Sequence, residues 1–478
     1  MELSIKKFSG SVIVDMQGII IIDSELKDYF ILVRKETGSW VALNKSNKEI
    51  IDLLSSKKNI SLDFFNQNFP TKIETLNSLF ESGVLKINGK GIIKDNLFEE
   101  QCKKPEIYPH VIVVKYTRKC NLQCEYCYAY SAKKGNQEMS NDTVLYILQK
   151  MINFYGDKEI VLILHGGEPT LRYKDIVELL NSIKKLSKKI DVRLQTNATL
   201  ITKQFAHFLK QENIGVGISI DGYDEETNAK RCYSNNKSSL PASLIGLDNL
   251  LSVGINPGLI SVITDSNCHK LLEHIDFYVN KGINDFAFNI FFPEGRGQTE
   301  KIGVDIDDFV SINLELIKKI DEINSKREIN DYVNERNSNV LVNNLTSWNR
   351  KFMCATSPCG AGRKTLGFDT DGSMYPCDDF INQSGFCIGN IYAIDNVRET
   401  IEKSHVVRRL LNHNVNNITE CAVCPWKWIC TLQCVANSYF QNGELNKFSY
   451  KCSYMKKIIP EIIDLLYENK INYKHFQK

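Results

Sequence analysis

The stretch KYTRKCNLQCEYCYAY, residues 115–130, decides how the rest of the chain is interpreted. It contains three closely spaced cysteines, Cys120, Cys124 and Cys127. Three thiolates this close together can bind three irons of one 4Fe–4S cluster and leave the fourth iron open to a small molecule. Zinc also binds clustered cysteines but needs a fourth ligand, and no Cys or His lies between Cys127 and His165. The spacing therefore favours an iron–sulfur cluster, with a zinc knuckle as the minor alternative.

Length, composition and charge are those of an ordinary globular protein. The chain has 478 residues, of which 43% are apolar and 24% are charged, and a formal net charge of +2. We therefore expect two or three domains and no nucleic-acid binding. The longest apolar runs, such as 160–164, are too short to cross a membrane, and the opening MELSIKKFSG lacks the pattern of a signal peptide. These features predict a cytoplasmic protein without a membrane partner, in which fifteen cysteines serve metal or cluster binding and not disulfides.

Between residues 107 and 310, apolar strand-like runs alternate with amphipathic helical stretches. Such alternation predicts βαβ units and a parallel sheet, so the fold class is α/β. Six repeats predict a partial (β/α)6 barrel of the TIM type, whose active site lies at the C-terminal ends of the strands. The cysteine triplet follows the first predicted strand and agrees with that placement. The predicted strands are 110–115, 160–165, 191–195, 216–221, 259–264 and 285–292.

The flanking parts of the chain have different patterns. Residues 1–100 predict a winged-helix-like module, with strands at 11–15, 18–23, 29–35 and 39–43 followed by helices at about 45–55 and 71–82. Gly83 is placed to end the second helix. Residues 311–349 predict a polar helical bridge. Residues 350–478 are rich in cysteine and end in an amphipathic helix that starts near Cys452.

The triplet and its surroundings resemble the radical S-adenosylmethionine (SAM) enzymes. The resemblance implies that the open iron binds the methionine end of SAM, and that one electron cleaves SAM to a 5′-deoxyadenosyl radical that abstracts hydrogen from the substrate. It places further SAM contacts in GGEP after the second strand, QTN after the third and SIDG after the fourth, with an arginine for the SAM carboxylate. For each residue the alternative is a packing or strand-end role. The implied SAM-binding residues are Tyr126, Gly166, Gly167, Glu168, Gln195, Asn197, Ser219 and Arg231.

A second cysteine pattern, near the C-terminus, resembles the SPASM domain of peptide-modifying maturases. The resemblance implies two auxiliary 4Fe–4S clusters, three clusters in all, with two zinc sites as the minor alternative. The outer ligand set is Cys421, Cys424, Cys430 and Cys452, and the inner set is Cys359, Cys377, Cys434 and, if it ligates, Cys354. Without Cys354 an inner iron stays open to a substrate thiolate. The other cysteines, expected to be small buried residues, are Cys102, Cys232, Cys268 and Cys387.

A carboxylate directly follows one of these cysteines. Asp378 comes after Cys377 in the stretch YPCDDF, and sulfatase-maturing relatives of the SPASM group carry a catalytic base there. A carboxylate shielded from water can have a raised pKa and take a proton from a substrate. We treat Asp378 as a candidate catalytic base, with an ordinary surface or capping role as an even alternative and Asp379 as a weaker candidate.

Residues 40–65, WVALNKSNKEIIDLLSSKKNISLDFF, resemble the recognition element that binds leader peptides of ribosomally made, modified peptides (RiPPs). The resemblance implies that a leader adds as a strand in a groove between 39–43 and the 71–82 helix; a plain packing domain is the alternative. All parts together predict a RiPP maturase that installs a cross-link, first a Cys thioether of the sactipeptide or ranthipeptide type and second a carbon–carbon bond. Oxidation of Cys or Ser to formylglycine and a non-catalytic electron carrier remain open. Flavodoxin or ferredoxin is the implied electron donor.

Overall fold

The structure is a computed structural model that describes residues 11–57, 59–94, 97–129, 136–155, 159–186, 189–350, 352–432 and 434–477. Residues 1–10, on which the signal-peptide expectation rests, lie outside the described residues. The chain forms two compact units, one of Met1–Pro105 with Asn414–Leu432 and one of Glu106–His413 with Gln433–Lys478. The division into four domains stays a prediction. No helix of the described residues is long and apolar enough to span a membrane.

The first unit begins with four strands near the predicted ranges. Its elements are β1 Ser11–Asp15, β2 Ile19–Asp23, β3 Tyr29–Arg34, β4 Trp40–Asn44, α1 Lys48–Ser56, β5 Asn59–Ser61, α2 Leu62–Asn68, α3 Ile73–Glu81, β6 Lys86–Ile87 and α4 Leu97–Lys103. The helices α1 and α3 lie near the two predicted helices. The winged-helix-like module stays a prediction. One antiparallel sheet has the order β2-β3-β4, and β1 lies between β5 and β6 in another. The helix α2 was not predicted; it begins where the Ser61 hydroxyl accepts the Phe64 N–H at 3.2 Å, a side-chain N-cap.

A fully buried arginine fixes the turn between β3 and β4. The side chain of Arg34 is 1% exposed, and its guanidinium donates to the carbonyls of Val84 and Asp15, each at 2.6 Å. Because Val84 follows α3 closely, these bonds hold the turn against the end of that helix. The helix ends as predicted at Gly83, whose φ of +75° lies in the left-handed region that favours glycine.

The second unit is built on one large sheet. Its first elements are β7 Val111–Thr117, α5 Asn141–Tyr155, β8 Ile160–Gly166, α6 Tyr173–Ile183, β9 Ile190–Thr196, α7 Lys203–Gln211, β10 Gly215–Ser219, α8 Leu240–Ser252, β11 Gly258–Ile263, α9 Leu271–Asn280 and β12 Asp285–Ile290. Each of the strands β7 to β12 pairs in parallel with the next. The six predicted strands and the partial-barrel arrangement of alternating strands and helices are therefore confirmed.

Shorter elements extend both edges of this sheet. The remaining elements of the chain are α10 Ile306–Asn324, β13 Asn334–Glu335, α11 Arg336–Thr346, β14 Thr365–Phe368, β15 Ser373–Tyr375, β16 Gly389–Asn390, α12 Val397–Lys403, α13 His405–Asn412, α14 Thr419–Ala422, α15 Lys427–Cys430, α16 Val435–Asn442 and α17 Lys451–Tyr467. The sheet order is β13-β12-β11-β10-β9-β8-β7-β14-β15-β16. The stretch predicted as a helical bridge thus also contributes β13, because the buried Glu335 carboxylate accepts the N–H groups of Phe288 and Ser338 at 3.0 and 2.7 Å.

A histidine on α9 makes the stability of this unit depend on pH. His274 is fully buried among Tyr223, Tyr278 and Phe288, and neither ring nitrogen has a hydrogen-bond partner among the described residues. Burial lowers the pKa of His274 to about 4, below its ordinary value of 6.5. Protonation therefore favours the unfolded chain, and the lost stability grows as the pH falls from 6.5 to 4.

We expect the free energy of unfolding to decrease by about 3 kcal/mol over that pH range because of this one group. Replacing His274 by leucine removes the ionisable ring and should flatten that part of the pH profile. Urea unfolding of both proteins at several pH values measures the difference. A variant with the same pH slope as the parent protein would assign the slope to other groups. His269→Leu, which replaces another histidine five positions away, serves as the control.

Candidate functional site

The three cysteines of the first motif lie together just beyond the C-terminal end of β7. Cys120, Cys124 and Cys127 pack in one group with six neighbours, Leu122, Tyr126, Tyr233, Val262, Phe291 and Ile302. Burial, with smaller contributions from the nearby Glu168, Cys124 and Cys127, raises the pKa of Cys120 to about 12. Burial also raises the pKa of Cys124, to about 11. The thiols are thus close enough to affect one another, and iron must displace their protons to bind.

The GGEP loop after β8 packs directly against the loop that carries the first cysteine. A Cβ atom on Gly166, whose φ is +133°, would lie 2.3 Å from the Thr117 carbonyl oxygen. A Cβ atom on Gly167 would lie 1.9 Å from the Lys119 carbonyl oxygen. Both glycines are therefore required for the close approach of two backbone segments, which is the packing role left open as the alternative to ligand binding.

Glu168 joins the ends of β8 and β9. Its carboxylate is 1% exposed and accepts four hydrogen bonds, from the Thr170 N–H and hydroxyl, the Thr196 hydroxyl and the Asn197 N–H, at 2.6 to 3.0 Å. Burial raises the pKa of Glu168, whereas these donors lower it. The residue that the resemblance assigns to SAM thus has a structural role within the protein as well.

We expect Glu168→Gln to cost about 1–3 kcal/mol of unfolding free energy. The amide turns an NH2 group towards at least one donor that the carboxylate accepts, so a buried polar group loses its partner. Chemical denaturation with fluorescence detection measures the change. Glu178→Gln on the exposed face of α6 is the matched control and should change stability by less than about 0.5 kcal/mol. Equal stability of the two variants would contradict this role of Glu168.

Hydrogen bonds among three buried polar side chains join the loop that carries the triplet to the end of β10. The hydroxyl of Tyr126 donates to the Asp221 carboxylate and accepts a bond from the Arg231 guanidinium, the latter at 2.9 Å. Asp221 also accepts the Val262 N–H at 2.9 Å. Of the residues that depress the pKa of the buried Cys124, Arg231 has the largest effect. The structure therefore brings Tyr126 and Arg231 together beside the cysteines, as expected of neighbours in one site.

The remaining predicted SAM residues also lie at the C-terminal ends of strands. Gln195 donates from its side-chain amide to the Ser219 hydroxyl at 3.1 Å, which links the ends of β9 and β10. Asn197 donates to the side-chain oxygen of Asn121 at 2.9 Å, and Asn121 lies in the loop that carries the triplet. All eight predicted SAM residues therefore lie close to the triplet or to the strand ends that face it.

The inner cysteines are brought together although they are far apart in sequence. Cys359, Cys377 and Cys434 pack into one apolar group, and burial raises the pKa of Cys377, with two neighbouring carboxylates and the other two thiols adding to the effect. Cys354 is exposed and interacts electrostatically with Cys359. The donor set fits a cluster held by at least three thiolates. Within the described ranges, no group of three or more His, Cys, Asp or Glu is arranged to hold a single metal ion.

The outer cysteines are divided between the two units. Cys421, Cys424 and Cys430 belong to the first unit and Cys452 to the second. The Cys424 N–H donates to the Cys421 carbonyl at 3.0 Å, so these two residues are joined within one turn of the backbone. The full ligand set stays a prediction.

Asp378 lies in a group of ionisable residues near the ends of β7 and β8. The hydroxyl of Tyr128 donates to its carboxylate at 3.2 Å, and the Lys115 ammonium lies 5.5 Å from the centre of the Tyr128 ring. Tyr128 also contacts His165, ring to ring, at 6.2 Å. Burial lowers the pKa of His165, which Asp378 raises and Lys115 lowers. This arrangement can hold a proton and can orient a carboxylate, which is the chemistry a catalytic base needs.

Sequence inspection missed several residues of this site. Asp221 was quoted only as part of a motif, and Lys115 only as part of a strand. Glu294, after β12, has a pKa raised by burial and by the nearby Asp379 and Asp378. Each follows or ends a strand of the predicted barrel, and that position was the available signal. Cys268 is buried as expected, whereas Cys102, Cys232 and Cys387 are only partly buried.

Comparison with known proteins agrees with this geometry. The radical SAM superfamily matches residues 114–278, and the SPASM iron–sulfur cluster-binding domain matches 359–425. The cysteine-type anaerobic sulfatase-maturating enzyme of Clostridium novyi is 25% identical over 358 residues, 71% of this chain and 92% of that protein.

Two solved structures share the fold. Native anSMEcpe with bound AdoMet and Cp18Cys peptide has a TM-score of 0.64 at 20% identity, covering 76% of this chain and 99% of that one. SuiB of Streptococcus suis bound to precursor peptide SuiA has a TM-score of 0.53 at 17% identity, covering 91% and 97%.

The fold, the thiol sets and these matches identify the protein as a radical SAM iron–sulfur enzyme with a SPASM domain. Its cofactors are SAM and 4Fe–4S clusters. The predictions of enzyme class and cofactors are thereby confirmed. A cluster held by Cys120, Cys124 and Cys127 would supply the electron that cleaves SAM.

Proposed function

We propose that this enzyme modifies a ribosomally made precursor peptide and installs a cross-link, with a Cys thioether as the first choice and a carbon–carbon bond as the second. The protein is a radical SAM and SPASM enzyme of the sulfatase-maturase and peptide-modifying type. The two solved relatives described above hold peptides, which supports a peptide substrate.

The observation that carries the proposal is the position of the edge strand β4 beside the helix α3 in the first unit. One of the two sheets of this unit has the order β2-β3-β4, so β4 is an edge strand of that sheet within the described residues. The helix α3 lies against β4 and buries Leu76, Leu79 and Phe80. An edge strand beside a helix is the arrangement in which an extended peptide adds as a further strand. This supports a recognition element for a leader peptide in a winged-helix-like module.

The second unit supplies the proposed catalytic groups. Tyr126, Arg231 and the GGEP and QTN segments orient SAM at the triplet. Asp378 takes the proton that the substrate releases, and the Tyr128 hydroxyl keeps the carboxylate in place. The inner set, with Cys354, holds one auxiliary cluster and the outer set holds another, which makes three clusters in all. The two auxiliary clusters accept the electron left after bond formation. A flavodoxin or ferredoxin donates the starting electron in the cytoplasm.

A second candidate is the oxidation of Cys or Ser to formylglycine. The Tyr128–Asp378 hydrogen bond favours it as much as the first, because that reaction also needs a base beside the oxidised residue. The similarity to a sulfatase-maturating enzyme over 92% of its length adds support. The edge strand β4 beside α3 in the first unit supports the cross-link candidate, whose precursor would carry a leader.

The test is anaerobic turnover with SAM, a reductant and a Cys-containing peptide encoded beside the gene, read by mass spectrometry after thiol alkylation. Loss of two hydrogens and of an alkylatable thiol is the expected result and indicates a thioether. Loss of two hydrogens with all thiols intact indicates a carbon–carbon bond. An aldehyde in place of a Cys or Ser side chain would replace the cross-link proposal with the formylglycine reaction.

A further inference from the structure

The loop that carries three outer cysteines belongs to the first unit. Residues Asn414–Leu432 form one compact unit with the N-terminal Met1–Pro105, although the sequence separates the two segments by more than half of the chain. This loop contains Cys421, Cys424 and Cys430. The N-terminal segment therefore belongs to the same compact unit as the loop that carries three of the proposed cluster ligands.

Trp428, two positions before Cys430, makes the central contact. It is 3% exposed, and its indole N–H donates to the Lys35 carbonyl at 3.1 Å. Its ring stacks on Phe98 of α4 with the ring centres 5.3 Å apart and the planes 25° apart. One side chain of the cysteine loop is thus held by a hydrogen bond to the β3–β4 turn and by a stack on a helix.

The β3–β4 turn is shaped to receive this tryptophan. Gly38 has a φ of +67°, and a Cβ atom built on it would lie 2.9 Å from the Trp428 Cβ and 3.8 Å from Ile429 Cγ1. Any larger residue at position 38 would therefore push the cysteine loop away. The turn itself cannot yield easily, because the buried Arg34 ties it to Val84 and Asp15.

The cysteine loop is also braced internally. The Lys427 ammonium donates to the Asn416 side-chain oxygen at 3.1 Å and to the Ala422 carbonyl at 3.4 Å. Lys427 is 9% exposed, so these bonds are shielded from water. A displacement of Trp428 would carry Lys427 with it and would disturb the turn that spaces Cys421 and Cys424.

We propose that residues 1–105 have a second function, as the scaffold that positions the outer cysteine loop for cluster binding through Trp428 and the Gly38 turn. This rests on the proposed ligand role of Cys421, Cys424 and Cys430. Trp428 and Gly38 are positioning residues, because they act through the loop and contact no reacting group. The scaffold is required whether or not a leader peptide is bound.

The test is iron analysis of the full-length protein, purified and reconstituted anaerobically, with electron paramagnetic resonance spectra of the reduced protein with and without SAM. We expect Trp428→Ala and Gly38→Val to lose about four irons per chain, one cluster of the 4Fe–4S type. The signal that responds to SAM belongs to the first cluster and should remain. Trp428→Phe keeps the stack on Phe98 but lacks the bond to Lys35, and should lose a measurable part of this iron, although less than Trp428→Ala.

Two reference variants make the result decisive. Gly89→Val places a side chain at an equally left-handed φ of +72° in the same unit, but with no atom within 4 Å of the new Cβ, and should keep all its iron. Cys430→Ala should lose the same four irons as Trp428→Ala and still cleave some SAM without product. Full iron in Trp428→Ala and Gly38→Val beside a depleted Cys430→Ala would overturn the scaffold function alone.

Two other outcomes test the ligand assignment and the folding of the variants. Full iron in Cys430→Ala would overturn the ligand assignment in the proposed function, and the scaffold with it. Loss of the SAM-responsive signal together with the iron would indicate unfolding of that variant. Trp428→Phe then decides, since iron loss there with the SAM-responsive signal intact supports the scaffold and full iron overturns it.

Discussion

Replacing Cys124 by alanine will abolish the reductive cleavage of SAM. Cys124 is the middle cysteine of the triplet in sequence, packs in one group with Cys120 and Cys127, and has its pKa lowered by Arg231 more than by any other residue. With two thiolates left, the first cluster loses one of its three protein ligands, so 5′-deoxyadenosine should fall to the level of a reaction without enzyme. Liquid chromatography with mass spectrometry of anaerobic reactions measures this product directly.

Cys268→Ala is the matched control for that experiment. Cys268 is a fully buried thiol outside both cysteine motifs, so its removal takes away a similar volume without touching a proposed ligand. We expect it to keep SAM cleavage at the level of the unmodified protein. Full cleavage by the Cys124→Ala protein would contradict the assignment of the first cluster.

Asp378→Asn will separate SAM cleavage from product formation. The amide preserves the size of the side chain and can still accept the Tyr128 hydroxyl bond, but it cannot take a proton at neutral pH. General-base catalysis contributes about 10²–10⁴-fold to a rate, so modified peptide should decrease by at least about 100-fold. SAM cleavage should continue, because the triplet is unchanged. The measured quantity is the ratio of modified peptide to 5′-deoxyadenosine.

Asp371→Asn controls for the loss of a negative charge in the same part of the chain. Asp371 is exposed, and its carboxylate accepts the Ser373 N–H at 2.9 Å in a turn. We expect the unmodified ratio from this variant. An unmodified ratio from Asp378→Asn would remove Asp378 from the catalytic step and leave it the capping role that its sequence position also allows.

Patterns of neighbouring residues were sufficient to predict the strands β7 to β12 of the second unit, but not the short strands β13 to β16 at the edges of its sheet. Each strand from β7 to β12 is a short apolar run between helical stretches, and burial drives such runs into a parallel sheet whatever their distant partners are. The C-terminal helix α17 and the turn at Gly83 followed from helical spacing and from the conformational freedom of glycine. The helix α2 was missed because one capping serine and seven residues form too short a pattern to notice.

The sequence by itself determined the chemistry of this protein, because the identity and spacing of Cys120, Cys124 and Cys127 select an iron–sulfur cluster before any folding is known. Only the tertiary structure decided which polar groups meet. Tyr128 bonds Asp378 across 250 positions of the chain, and Trp428 bonds Lys35 across 393. Local periodicity contains no information on such pairs, since they form only when sheet and loops pack. The roles of Asp221 and Glu168 therefore emerge from packing, whereas the iron–sulfur cofactor emerges from cysteine spacing and SAM from the resemblance of the motifs to the radical SAM enzymes.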